Sequence, residues 1–439
     1  MKINVLLASI LALGASIPVL QAQTWDTEAG TGNWSDGTKW VGGIAPANNS
    51  SGAYIFSRTG TSTNNLTGIT ASSITYDRTT SPGAFTIAGT NPITLAGNIG
   101  FSGANTASSL TINPNLILNG NRTITTTSIN SVTVGGNISE SGGARSITKS
   151  GQGSLTLSGA NSFSGGITIN NGSTTFPSAG ALGSGTISFF GGDPTLVYNS
   201  SAGSTTTVTN NLTQSNSAAA GVVIIANNSV GSSNNVVFNG TFANSASHTT
   251  GTKTFTLRGS NTGDNQFQGA IGNGSGGGLI GLAKTEAGKW TITAANTYTG
   301  GTTVSAGELA TSSTGTFGTG DITVSAGTLT LGNNTSIGDF ANLRFSGTST
   351  INLNFSGFET VGSLFSSFSG TYMSIGNKSI SDLNAFFAGS NVTFAGIGGL
   401  NVSSAIPEPS TFATLAGLAV LASGLCSRRR SRRSAVNNW

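Results

Sequence analysis

Cysteine, histidine and charge are the scarce commodities of this 439-residue chain, which has one Cys, one His and only 7% charged residues. Cys426 stands alone near the end, so there is no disulfide framework and no Cys-x-x-Cys metal site. His248, in "NSASHTTG", excludes multi-histidine metal centres, and with no carboxylate pattern beside it a Ser-His-Asp triad is not expected. The polarity of that stretch predicts a surface loop. The 14 Asp and Glu are mostly isolated, and the pair Asp26 and Glu28 sits beside the expected mature terminus. Glycoside hydrolysis needs two carboxylates across one bond, so the expectation is no enzyme, no cofactor and no metal. The alternative is a polysaccharide-active hydrolase or lyase, which would need carboxylates or a Lys/Arg pair from different coils to converge in one groove. A serial Gly-Gly-x-Gly-x-Asp calcium repeat is missing, and "GTGDITV" (318–324) reads as a turn.

The balance of 18 Lys and Arg over 14 Asp and Glu suggests a basic protein, but the excess is local. Without Lys2 and five arginines near the end, 12 cationic residues face 14 acidic ones. The body therefore has no surplus of positive charge to neutralise phosphates, and nucleic acid is not an expected partner.

Abundant instead are Gly, at 65 residues, and Ser, Thr and Asn, among 36% apolar residues. Apolar-Thr-apolar triplets recur: "ITY" (74–76), "FTI" (85–87), "LTI" (110–112), "VTV" (132–134), "LTL" (155–157), "ITI" (167–169), "WTI" (290–292) and "ITV" (322–324) are examples. Alternation of period two between Gly/Asn/Ser clusters predicts half-buried strands. No convincing helical period occurs between residues 23 and 404, so the body is expected to be all-β.

Internal repetition narrows the architecture. "KSGQGSLTLSGANSFSGGITINNG" (149–172) aligns with "KTEAGKWTITAANTYTGGTTVSAG" (284–307) at a constant offset, matching Lys149 with Lys284, Gly153 with Gly288, Asn161 with Asn296, and Gly172 with Gly307. The alignment continues without a gap into 181–192 and 316–327. A strand, an Asn-aromatic-x-Gly-Gly turn and a second strand make one coil of a solenoid, roughly 20–25 residues long. Leu155, Leu157, Ile167 and Ile169 are expected to point inward in one copy, and Trp290, Ile292, Thr302 and Val304 in the other. Residues 201–250 are the richest in Ser, Thr and Asn, yet "VVII" (222–225) and "VVF" (236–238) predict strands there. Residues 340–394 hold nine of the 22 Phe, read as a closing cap in preference to a ligand-stacking platform.

The two copies resemble the autotransporter-associated β-strand repeat, from which the second departs at Glu286 and Ala294, where Gly is typical. "GNWSDGTKWVGGIAPANNSSGAYIF" (32–56) and "GTYMSIGNKSISDLNAFFAGSNVTFAGIGGLNV" (370–402) resemble the N-terminal and C-terminal segments of such proteins. The resemblance implies a right-handed parallel β-helix at the cell surface. A true autotransporter passenger would also need a C-terminal membrane barrel of about 8 or more alternating strands; an apolar run and arginines occupy that end instead.

The start, "MKINVLLASILALGASIPVLQAQTW", has the positive and apolar regions of a secretory signal peptide over 1–22, with cleavage expected after Ala22. At the other end, Phe412 to Cys426 is apolar and Arg428, Arg429, Arg430, Arg432 and Arg433 follow, a cluster that would stay cytoplasmic. Pro407, Glu408, Pro409 and Ser410 before this run complete a pattern over 405–433 that resembles the PEP-CTERM sorting signal. Residues 434–439 form a short tail, and the stretch from the arginines onward is longer than usual for that signal. The resemblance implies an exosortase as processing partner, a membrane-anchored precursor held by a single transmembrane helix, and then release to the surface, outer envelope or matrix. The predicted organisation is a signal peptide (1–22), a β-solenoid body (23–404) with repeats near 149–200 and 284–335 and a cap near 340–404, and the sorting signal. The function expected is a structural or adhesive surface protein near exopolysaccharide or other surface glycans.

Overall fold

The computed structural model describes residues 22–26, 30–79, 83–103, 107–215 and 221–404. They form two compact units, one running to 215 and including Gly221–Val230, the other beginning at Gly231.

In the first unit the triplets fall in strands, and their apolar members are buried while the threonine between them stays half exposed. One parallel sheet runs through Gly60–Thr63, Ala84–Ala88, Ser108–Ile112, Asn130–Val134, Ser154–Leu157, Ser173–Phe176 and Thr195–Tyr198. Its register sets Phe85, Leu110, Val132 and Leu155 in one inward row and Ile87, Ile112, Val134 and Leu157 in the next. Burying a side chain of this size contributes about 1.5–3 kcal/mol, so each row is a continuous source of stability shared between coils. Outward, Thr61, Thr86, Thr111, Thr133, Thr156 and Thr175 lie side by side. The step along that row ranges from 25 residues (Thr86 to Thr111) to 19 (Thr156 to Thr175), close to the coil length expected.

A second parallel sheet of this unit starts at Gln23–Thr24 and Ser51–Phe56 and divides at the nine-residue strand Ile69–Asp77. The first half of that strand pairs with Ile93–Leu95 and the second half with Ile99–Ser102. One long side of the coil so becomes two short ones. From Ile99–Ser102 the track continues through Arg122–Thr125, Ile147–Ser150, Ile167–Asn170, Ile187–Phe190 and Leu212–Gln214. Asparagines tie successive corners together: the Oδ1 atoms of Asn98, Asn115 and Asn121 accept from the backbone N–H of Thr123, Asn137 and Ser146 in the following coil. At the N-terminal end Trp25, Trp34 and Trp40, each at most 1% exposed, pack with Tyr54 and Phe56 at ring-centroid distances of 4.9 to 6.4 Å.

The second unit repeats the scheme. Thr252–Arg258, Leu279–Lys284, Thr302–Val304, Ile322–Val324, Leu343–Phe345 and Leu364–Ser366 form one parallel sheet, and Val236–Phe238, Gln266–Phe267, Lys289–Ile292, Glu308–Thr311, Gly327–Leu331, Ser349–Leu353 and Val392–Gly396 another. Thr256 and Thr330, central in their triplets, are buried here. Among the described residues of this unit, antiparallel strand pairing appears after residue 370. Thr371–Tyr372 pairs antiparallel with Leu364–Ser366, and Gly376–Lys378 antiparallel with Gly399–Val402. Between them lies a seven-residue helix, Ile380–Phe386, that the sequence did not predict. Its capping box pairs Ser379 with Asp382, Leu383 is buried, and Asn384 exchanges two hydrogen bonds with Phe394, at 2.8 and 3.0 Å. Seven residues are too few to display a helical period; the capping box was the one available signal.

The expected Phe cap is therefore mixed in character. Phe345, Phe387 and Phe394 are buried in mutual contact, with centroids 5.4 to 5.7 Å apart, whereas Phe340 and Phe368 are exposed. Among the described residues no helix is long and apolar enough to cross a membrane, and the run from Phe412 to Cys426 lies outside them.

Candidate functional site

The two repeat copies are where sequence and structure coincide most closely. Lys149 lies in Ile147–Ser150 and Lys284 in Leu279–Lys284, both with side chains turned inward and fully buried. The Lys149 Nζ donates to the carbonyls of Ser150, Gly151 and Asn171, at 3.4, 2.5 and 3.1 Å. The Lys284 Nζ donates to those of Thr285, Glu286 and Ala306, at 2.8, 2.6 and 3.1 Å. Each lysine thus holds two carbonyls of its own turn and one of the next coil's turn. Burial pushes both ammonium groups down to about 8, and in each the ammonium donates hydrogen bonds to three carbonyls.

The matched asparagines also link coils. Asn161 Oδ1 accepts from the Ile138 N–H at 2.7 Å and its Nδ2 donates to the Ala181 carbonyl at 2.6 Å. Asn296 does the same with Ile271 at 2.7 Å and Thr316 at 2.6 Å. Gly172 and Gly307 share φ +65, and a Cβ at either would strike the carbonyl of Gly153 or Gly288, the next matched pair.

The copies differ in a compensated way at the aromatic. Phe163 precedes Ile167 by four residues, both buried and without a hydroxyl; in the second copy Tyr298 and Thr302 stand there, their hydroxyls 2.6 Å apart. Burial pushes the Tyr298 phenol up to about 12. That pairing explains why a threonine can occupy an inward position. Glu286 takes the left-handed position (φ 59) that Gly151 takes in the first copy, and its carboxylate accepts from the Gly259 N–H at 2.9 Å while lying 3.7 Å from Arg258. Leu155, Leu157, Ile167, Ile169, Trp290, Ile292, Thr302 and Val304 are all buried.

Other carboxylates hold backbone. Glu140 bonds the Ser164 hydroxyl and N–H and the Arg145 N–H, which draws it below its ordinary range. Glu359, fully buried, accepts from the N–H groups of Ser336 and Ile337 at 3.0 and 2.9 Å, and burial pushes it up to about 7. Among the described residues no three His, Cys, Asp or Glu side chains gather where they could hold a metal ion.

His248 corrects the sequence reading: it is fully buried, not on the surface. Its ring packs against Gly278, where any Cβ would strike the imidazole, so the room is made by a glycine thirty residues further on. Ala22 is exposed just before the first strand. Pro407, Glu408, Pro409, Ser410 and the five arginines lie outside the described residues.

No curated protein and no solved structure matches the chain. A family model described as a passenger-associated-transport-repeat matches residues 147–175 and 282–310, the two stretches in which the buried lysine and the bridging asparagine recur.

Proposed function

We propose that this chain is an exported, non-enzymatic β-solenoid that serves as a structural or adhesive element at the cell surface or in the surrounding exopolysaccharide matrix. The observation that carries this reading is the pair of passenger-associated-transport-repeat matches set within parallel coils. The polar groups of these stretches, Lys149, Asn161, Lys284 and Asn296, are engaged between turns and coils, as a scaffold requires. Strand–crossover–strand connections are right-handed in nearly all parallel sheets, which supports a right-handed winding here.

Export begins with removal of residues 1–22 after Ala22. The tail then acts as a sorting signal: the apolar run holds the precursor in the inner membrane, the arginines keep its end cytoplasmic, and an exosortase cuts near Pro407-Glu408-Pro409. Its partners are that enzyme and surface glycans, not nucleic acid. Replacing Pro407 and Glu408 with Ala is expected to leave uncleaved precursor in the inner-membrane fraction, identified by intact mass. Release of the double variant at the normal rate and mass would refute the sorting scheme.

A further inference from the structure

Phe368 is a large apolar side chain left 67% exposed within the closing segment, although three other phenylalanines there pack together. It lies two residues past the strand Leu364–Ser366, on the wall of a concavity of about 250 Å³. Among the described residues the ring has no aromatic partner, and it lies over Gly389, where a Cβ would be 3.6 Å from Cε1. Ser346, Ser367 and Asn391 line the same concavity, and their side chains make no hydrogen bond to the described residues. Ser390, also on the wall, is already committed: its hydroxyl donates to the Phe387 carbonyl at 2.6 Å and accepts from the Val392 N–H at 3.2 Å. Among the described residues, none that lines the space is charged.

We infer that this concavity is a binding subsite for one sugar ring of a neutral glycan. A pyranose presents an apolar C–H face and a rim of hydroxyls. The exposed Phe368 ring suits the face, and two free hydroxyls and one free amide suit the rim, each able to donate and to accept. Small-ligand sites have this make-up, a few oriented polar groups on a largely apolar wall. With no cation in the wall, a uronic acid or sulfated sugar gains nothing from its charge and loses hydration on entry. Selection for neutral sugars follows. The inference rests on the reading of the protein as a matrix component and adds the face through which it holds the glycan.

The test uses the full chain with maltotriose, cellotriose, mannotriose and the acidic trigalacturonate as probes, followed by saturation-transfer NMR and calorimetry. At least one neutral trisaccharide is expected to bind, and trigalacturonate to bind no better than any of them. Phe368→Ala is expected to weaken the bound sugar at least tenfold with an unchanged melting temperature, and Ser367→Ala with Asn391→Ala at least threefold. Failure of every neutral probe to bind, tighter binding of trigalacturonate, or equal affinity in the variants would overturn the subsite. Matrix association of the full chain, measured in parallel, separates the two ideas. Trisaccharide binding without matrix association would sink the surface role and keep the subsite; matrix association that survives Phe368→Ala, with no trisaccharide bound, would do the reverse.

Discussion

A buried lysine is an expensive choice, because an ammonium leaves water only if its three protons find partners. Lys149 and Lys284 each find three carbonyls, in the same pattern, 135 positions apart. Their role is to close a turn that the β-ladder alone would leave with unpaired carbonyls. Lys284→Met keeps the aliphatic stem and removes the donors, and is expected to destabilise the protein by roughly 2–3 kcal/mol. Lys289→Met, at a half-exposed lysine 3.7 Å from Glu308, should change stability by about 0.5 kcal/mol or less. Thermal melts of the two variants check this, and equal effects would remove the lysine clasp from the explanation of the repeat. The offset between the copies was legible in the sequence, but the lysine's task was not. Its partners are backbone carbonyls, which leave no trace in side-chain identity. His248 was misread for a related reason: its neighbours Ser245, Ser247 and Thr249 are polar, while the glycine that admits its ring comes from another turn.

Strands were the most legible elements, since a β-branched residue flanked by two apolar ones reports both the period and the buried face. Leu157 is fully buried and its neighbour Thr156 half exposed, in register with Val134 and Thr133 of the preceding coil. Leu157→Asp puts a carboxylate between stacked apolar side chains and is expected to cost several kcal/mol or to prevent folding. Thr156→Asp, facing outward, should shift stability by about 0.5 kcal/mol or less. Chemical denaturation of both variants tests the alternation directly, and a comparable loss in each would mean the strand is turned the other way. Elements without alternation were harder to read. The helix Ile380–Phe386 closes the second unit as antiparallel pairing does beside it, because a final coil has no successor to cover its edge. The Phe content of this segment marked a cap, but could not separate Phe345, Phe387 and Phe394, which fill it, from Phe368, which does not.

For the whole molecule, the sequence carried two kinds of information that hardly overlap. The middle encodes coils, whose side chains bury or bond one another; the two ends carry apolar runs beside positive charge, which the proposed function reads as addresses. The Ser/Thr/Asn-rich stretch 201–250, which still supplies the strands Gly221–Asn227 and Val236–Phe238, is where one compact unit gives way to the next. Composition alone could not reveal that division, because the strand signal continues through it. Surface display of folded coils is the central claim, and a membrane-impermeant amine reagent applied to intact cells tests it in one measurement. Lys39, Lys289 and Lys378 are half exposed, whereas Lys149, Lys253 and Lys284 are fully buried. Peptide mapping is expected to find label on members of the first set, none on the second, and Gln23 as the mature N-terminus. A chain that is labelled only after lysis, or that carries label equally on Lys149 and Lys39, would contradict it.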